Sequence, residues 1–277
     1  MNEAGTSGPV IDGDTAAALM APLTELVIRA GAAILAVDRL GMKVEGKLDG
    51  SPVTEADLAA DRMIGEGLAW LLPDVPVLSE ERAHLARPPY DGSFFLVDPL
   101  DGTKEFVAGR SEFAVNLALV TNGTPLLGII GAPALGLVWR GLVGQGAERL
   151  RTDNASVAEP IQTRAHPKSG DPWIAAVSRS HADTGTEAFI KSRAGAIRQV
   201  LGSAVKFGRV AEGAADIYAR LAPTSEWDVA AGHALVTAAG GKVTDALGAD
   251  LQFGKGRGGF IVPEFIAWGD PAAARGR

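Results

Sequence analysis

The 277-residue chain is long enough for one large domain or two of ordinary size, and 47% hydrophobic with 21% charged residues is a globular rather than a disordered composition. A formal charge of −7 excludes a basic face for a nucleic-acid polymer, but not a small anion held by metals or a few local cations. With no cysteine there are no disulfides, thiolate zinc sites or thiol nucleophiles, which fits a reducing, cytoplasmic compartment.

Residues 1–14 are polar and acidic without the design of a signal peptide, and are expected to form a loose tail. From Ala16 to about Leu40, apolar residues recur at helical spacing (Leu19, Leu23, Leu26, Val27, Ala30, Ile34). KLDGSPVT (47–54) is turn-rich, and a second helix is expected from Glu55 to Leu72, halted by Pro73. No stretch is expected to span a membrane. Strands follow in PVLSE, SFFLVDP, FAVNLALVTNG, TPLLGIIGAP and LGLVWRGLVG, with Asn122-Gly123 marking a hairpin. Helices followed by antiparallel strands make 15–160 an α+β unit. VAEPIQTRAHPKSGDP (157–172) reads as a linker. Beyond it, WIAAVS is a strand, AFIKSRAGAI (188–197) a helix, and AIRQVLG contains a strand. AVKFGRVAEGAADIYA (204–219) is largely helical, WDVAAGHALVTAAGG a helix, and GKVTD a strand, so 161–277 is an α/β unit.

Several carboxylates stand beside turns or helix starts. Glu80 and Glu81 follow the strand PVLS, Asp57 opens the second helix, and Asp228 opens the helix beginning Val229. Singly, each has an ordinary explanation as a helix cap, a first-turn acid or a solvated loop acid. Asp98 and Asp101 are harder to dismiss, because FFLV drives an apolar strand straight into them. Such oxygen-rich sites suit hard divalent cations, which neutralise the repulsion. Pro99 fixes the backbone so that the Leu100 carbonyl turns inward, Gly102 permits close approach to a ligand, and Thr103-Lys104 begins a short helix able to receive phosphate.

Other signals are weaker. The histidines His84, His166, His181 and His233 show no H-E-x-x-H spacing. GQGAER (144–149) lacks the third glycine of a dinucleotide loop, and GKGRGG (254–259) lacks the Ser/Thr of a P-loop and is expected to be a surface loop. His181 either lines a pocket or caps local structure, His233 is expected to pack, and Trp227 to pack beside Asp228.

VDPLDGT (97–103), LSEE (78–81), SPVTEAD (51–57) and WDVAAG (227–232) together resemble the Mg²⁺-dependent, lithium-sensitive inositol monophosphatase superfamily, in that family's motif order from about residue 20 to 262. DPLDGTKEF, SRSH (178–181), GSAVK (202–206) and PTSEWD (223–228) are similar to its bacterial CysQ-type 3′(2′),5′-bisphosphate nucleotidase branch. FIVPEF (260–265) departs from that branch, with Val262 in place of an asparagine. The resemblance implies a two-domain layered αβαβα sandwich of the inositol monophosphatase/fructose-1,6-bisphosphatase type. It implies two or three Mg²⁺ ions on Glu80, Asp98, the Leu100 carbonyl, Asp101 and Asp228, and inhibition by Li⁺. Asp57 and Thr103 would orient and deprotonate the attacking water. Gly102 and Thr103 would hold the phosphate, with Ser178, Arg179, Gly202, Ser203 and Lys206 near the nucleotide and Glu81 behind the ligands. The implied reaction is hydrolysis of the 3′-phosphate of adenosine 3′,5′-bisphosphate by a monomer or dimer. The alternatives are an inositol or fructose-bisphosphate phosphatase and a non-catalytic metal- or nucleotide-binding regulator.

Overall fold

The computed structural model describes residues 5–39, 41, 43–46, 52–180, 183–193, 195–256 and 258–275. His181, Arg257 and most of the turn at 47–54 lie outside these residues. Helix α1 (Gly13–Ala36) is capped by Asp12, whose carboxylate accepts from Thr15 N at 2.8 Å. Helix α2 (Glu55–Leu71) starts in a reciprocal capping box between Thr54 and Asp57 and ends just before Pro73. Residues 5–12, expected to be a loose tail, are instead tied down by backbone bonds. Thr6–Ser7 pairs in parallel with Tyr90–Asp91, and Ser93 N donates to Pro9 O at 3.1 Å.

The first sheet contains β1 (Val77–Ser79), β2 (Ser93–Asp101), β3 (Ala114–Thr121), β4 (Thr124–Ala132), β5 (Leu137–Leu142), β6 (Gly146–Arg151) and β7 (Asn154–Ile161). Its order is β7-β6-β5-β4-β3-β2-β1, antiparallel except for the parallel β1/β2 pair. Strands β6 and β7 correct the sequence reading: GQGAER and the head of the expected linker form an edge hairpin. Its edge strand is mostly exposed, so no buried apolar run announces it.

The second sheet contains β8 (Ile174–Ser178), β9 (Ile197–Leu201), β10 (Ile217–Arg220), β11 (Lys242–Thr244) and β12 (Phe265–Trp268), in the order β9-β8-β10-β12-β11. Between its strands, the helix expected over 188–197 is α4 (Thr184–Lys191), started one turn earlier by Asp183, which accepts from Thr186 N. The stretch expected to be helical over 204–219 splits into α5 (Val205–Ala211) and strand β10. β-Branched and aromatic Ile217 and Tyr218 follow the turn that ends α5 and complete the sheet.

These elements stack in five layers. Phe95 and Val97 of β2 face a core shared with α1 and α2, while Phe94 and Leu96 face a second core containing α5 (Phe207, Val210) and α6 (Glu226–Ala238). Burial on both faces explains why FFLV is continuously apolar rather than alternating. Beyond α5 and α6 lies the second sheet, with α4 against its outer face through Phe189 and Ile190. The layered αβαβα expectation holds. By length and composition α1 is apolar enough to cross a membrane, contrary to the sequence expectation, but its stripe of Leu23, Leu26, Val27, Ala30 and Ile34 is buried in the outer core. The glycine-rich loop is anchored at its start, where Gly254 N donates to buried Glu226 at 2.7 Å and Gly254 O accepts from Tyr90 N at 2.8 Å.

His233 on α6 packs edge-on against Phe253, as expected, and its Nδ1 has no hydrogen-bond partner among the described residues. Burial lowers its pKa from 6.5 to about 4. Between these values the unfolded chain binds a proton that the folded state refuses, so stability falls as pH drops through this window. Urea denaturation is expected to show that His233 accounts for a loss of about 2 kcal/mol between pH 8 and pH 5. His233→Phe should remove that share, whereas an unchanged pH slope would contradict the burial argument.

Candidate active site

The site is built where β2 ends. Asp98 pairs across the sheet with Asn116, and the register then shifts before Asp101 meets Ala114. The irregularity follows from Pro99, which cannot donate to the ladder. Leu100 N turns back to donate to Asp98 Oδ1 at 3.0 Å, and Gly102 takes a φ of +89° so that α3 (Thr103–Val107) can begin at once. One short stretch thus presents two carboxylates, a carbonyl and a hydroxyl.

Asp57 is buried behind this turn, where Thr54 donates to its Oδ2 from both backbone N (2.8 Å) and Oγ1 (2.6 Å). The other oxygen, Oδ1, accepts from Thr103 Oγ1 at 3.0 Å, and that hydroxyl also lies 3.1 Å from Leu100 O. Asp101 Oδ2 accepts from Ser203 Oγ (2.8 Å) and Ala204 N (2.5 Å), with Asn116 Nδ2 at 3.4 Å. Asp228 Oδ2 accepts from Thr224 Oγ1 and, at 3.3 Å, from Ser225 N, in the capping box that starts α6. Glu80 opens the 3₁₀ turn after β1, and its charge is among those that act on Asp98.

Repulsion follows directly. Asp98 has its pKa driven well above the carboxylate range, chiefly by burial and then by the charges of Glu80, Asp101 and Asp228. Burial and neighbouring Asp101 likewise raise Asp228 to about 6. Lys206 is buried and held near about 8 by desolvation, its Nζ donating to Ser203 O at 2.5 Å and lying 5.0 Å from the Tyr218 ring centre.

These groups surround a cavity of about 340 Å³ between the two sheets. Of the residues singled out in the sequence, Glu80, Asp98, Leu100, Asp101, Gly102, Thr103, Ser178, Ser203, Lys206 and Asp228 line it. Asp57 sits one hydrogen bond behind the wall, while Glu81, Arg179 and Gly202 are not on it. Arg179, expected near the nucleotide, has its Nη2 committed to both oxygens of Glu112 at 2.7 and 2.8 Å. Trp227 lines the cavity beside Asp228 as well as packing. Val262 is buried and pairs with Thr224 rather than facing the cavity. Sequence reasoning missed Glu105, Tyr218 and Arg220 on the wall. Arg220 sits at the C-terminal end of β10, a recurrent ligand position in open sheets that was hidden because 204–219 reads as helix.

The donors suit a hard divalent ion: four carboxylates and Leu100 line one cavity, and the mutual repulsion that raises the pKa of Asp98 is what a cation would relieve. Among the described residues no three acids form a ready-made cage, and Mg²⁺, which keeps waters and phosphate oxygens in its shell, does not require one.

A layered αβαβα fold with an acid-lined cavity between its sheets is the architecture of a hydrolytic phosphatase family. The inositol monophosphatase family model matches residues 16–273, and the chain belongs to that family. Among curated proteins it is similar to the 3′(2′),5′-bisphosphate nucleotidase CysQ of Escherichia coli K12, 40% identical over 250 residues that cover 87% of this chain and 96% of that protein. It is 39% identical over 256 residues to the enzyme of the same name from Salmonella typhimurium, covering 89% and 98%. Among solved structures, CysQ of Bacteroides thetaiotaomicron superposes with a TM-score of 0.71 at 32% identity, over 91% of this chain and 97% of that one.

Thr103→Ala is expected to lower phosphatase kcat about 10²- to 10⁴-fold, as loss of a proton-handling group does. Thr54→Ala, which only loosens Asp57, should cost about tenfold or less. Steady-state kinetics check the order, and equal losses would mean that Thr54 does more than position Asp57.

Proposed function

We propose that this chain is a Mg²⁺-dependent phosphatase that hydrolyses the 3′-phosphate of adenosine 3′,5′-bisphosphate, releasing AMP and phosphate. The observation that carries the reading is Arg220. It lines the same cavity as the acids, and although its Nη2 donates to Pro223 O at 3.1 Å and Tyr218 also hydrogen-bonds to it, its Nε is buried without a hydrogen-bond partner among the described residues. A guanidinium only partly used within the protein, beside an acid cluster, suits a substrate with a second anionic group away from the scissile phosphate. Trp227, Ile261 and Phe265 supply an apolar wall for a nucleoside. The 3′(2′),5′-bisphosphate nucleotidases to which the chain is similar support the same substrate class.

Glu80, Asp98, the Leu100 carbonyl, Asp101 and Asp228 would hold the metal. When bound, it neutralises charge on the transferring phosphoryl group and the departing oxygen. The protein's own contribution is orientation and proton handling. Thr103 Oγ1 donates to Asp57, which leaves its lone pairs to accept from the attacking water and aim it. Asp57, fixed by two donors from Thr54, takes up the proton that the water gives up through Thr103. The N–H groups of Gly102 and Thr103, at the start of α3, are placed to hold phosphate oxygens. The cysteine-free composition supports a cytoplasmic place of work.

Phosphate release from adenosine 3′,5′-bisphosphate, inositol 1-phosphate and fructose 1,6-bisphosphate should favour the nucleotide, require Mg²⁺, stop with chelator and weaken with Li⁺. Asp98→Asn is expected to cost about a thousandfold or more in kcat. Arg220→Gln should raise KM for the bisphosphate about tenfold with little effect on a monophosphate ester. Preference for inositol 1-phosphate would establish the sugar-phosphatase alternative instead.

A further inference from the structure

Two acids on the segment following the metal-site turn are engaged outside the chemistry described above. Glu105 on α3 is 3% exposed, and one of its oxygens accepts from Ser180 Oγ at 2.5 Å. Glu112, seven residues on, receives both short bonds from Arg179 Nη2. Arg179 and Ser180 are consecutive residues just past the end of β8, and Arg179 N also donates to Leu201 O at the end of β9, at 3.1 Å. Gly202 follows Leu201. A Cβ there would stand 2.5 Å from Glu112 O and 2.8 Å from Glu105 Cγ, so the absence of a side chain lets the two segments meet.

These contacts join the two sheets beside the cavity. Gly102 to Glu105 line it from the side of the first sheet, and Ser178, Ser203 and Lys206 from the side of the second. Arg179, Ser180 and Glu112 are not on the wall. Two carboxylates next to a phosphate-binding cavity would repel the ligand if left unanswered. Here one faces a guanidinium and the other a hydroxyl, and the bonds run between segments 67 to 75 residues apart in sequence. Ser203 and Ala204 already tie the turn after β9 to Asp101, so what these bonds add is the hold of the 179–180 turn, just past β8, on the α3 segment.

We propose that Glu105 and Glu112 are positioning residues: through Ser180 and Arg179 they clamp the end of β8 onto the α3 segment and set the width of the nucleoside half of the cavity. This rests on the nucleotide reading of the cavity. A loosened clamp widens the half that grips the nucleoside and leaves the Asp57–Thr103 machinery untouched, so the loss falls on KM for a large ester.

The test uses the full chain with Mg²⁺, comparing adenosine 3′,5′-bisphosphate with p-nitrophenyl phosphate, and melting temperature as a fold control. Glu112→Gln, Arg179→Gln and Ser180→Ala are each expected to raise KM for the bisphosphate about 3- to 10-fold, with kcat and the KM for the aryl phosphate within about twofold. The exchange Glu112→Arg with Arg179→Glu should recover most of the loss of the two single variants. Equal KM rises on both esters would overturn the proposal, as would a lowered melting temperature with an unmoved KM ratio, or an exchange no better than its single variants. Wild-type substrate preference decides the nucleotidase reading by itself; the variant ratios decide the clamp on whichever large ester the wild type prefers.

Discussion

The repulsion among buried carboxylates at the end of β2 is the constraint around which the rest is arranged. Asp98 is fully desolvated and faces three other acids, so the cluster costs free energy unless an external cation joins it. The nearest buried ammonium cannot serve, because Lys206 is bound to the Ser203 carbonyl and is itself partly discharged by burial. The protein spends its internal donors in one consistent way. On Asp101 and Asp228 they fall on a single oxygen, Oδ2 in each case, from Ser203 and Ala204 and from Thr224 and Ser225. That fixes each of these carboxylates in orientation and leaves Oδ1 for the site. Saturating both oxygens would have satisfied the acids locally and disabled them as ligands.

The same arrangement explains why the site needs both sheets. Asp98 and Asp101 come from the first sheet, whereas the donors that orient Asp101 come from the turn after β9, and Asp228 begins a helix of the middle layer. Phe207 on α5 stacks on Phe265 of the second sheet and belongs to the same buried cluster as Phe94 of the first. A shift of one sheet relative to the other would therefore break the core and the ligand geometry together. Packing energy in this way supports the placement of charges that would otherwise push the layers apart.

Much of this was readable in the residues. The FFLV run before Asp98 marked a strand buried on both faces, and the Asp57 and Asp228 helix starts proved to be capping boxes, with the caps serving also to orient the site. Their structural and functional explanations are the same contacts. What escaped was decided by distant partners. Strands β6 and β7 carry no buried apolar run because the hairpin lies at a sheet edge, and Ile217-Tyr218 lost its strand signal inside a helix-like window. The tail at 5–12 looked loose because its order comes from backbone bonds to residues some 80 positions away, which leave no pattern in composition.

Arg179 and Arg220 show the limit most clearly. Both stand at or just past the end of a second-sheet strand, yet the sequence singled out only Arg179 for the nucleotide. Their difference lies in what faces each guanidinium. Glu112 takes Arg179's Nη2 with both oxygens, which cancels its attraction for an anion and turns the residue into a strut. Arg220 donates to a carbonyl and is hydrogen-bonded with Tyr218, but among the described residues its buried Nε has no partner, so the desolvation of its charge is only partly answered within the protein. An acidic cavity attracts an anionic substrate only where cations outnumber their internal partners. Arg220, with its buried and unanswered Nε, is one such cation on the wall of this cavity.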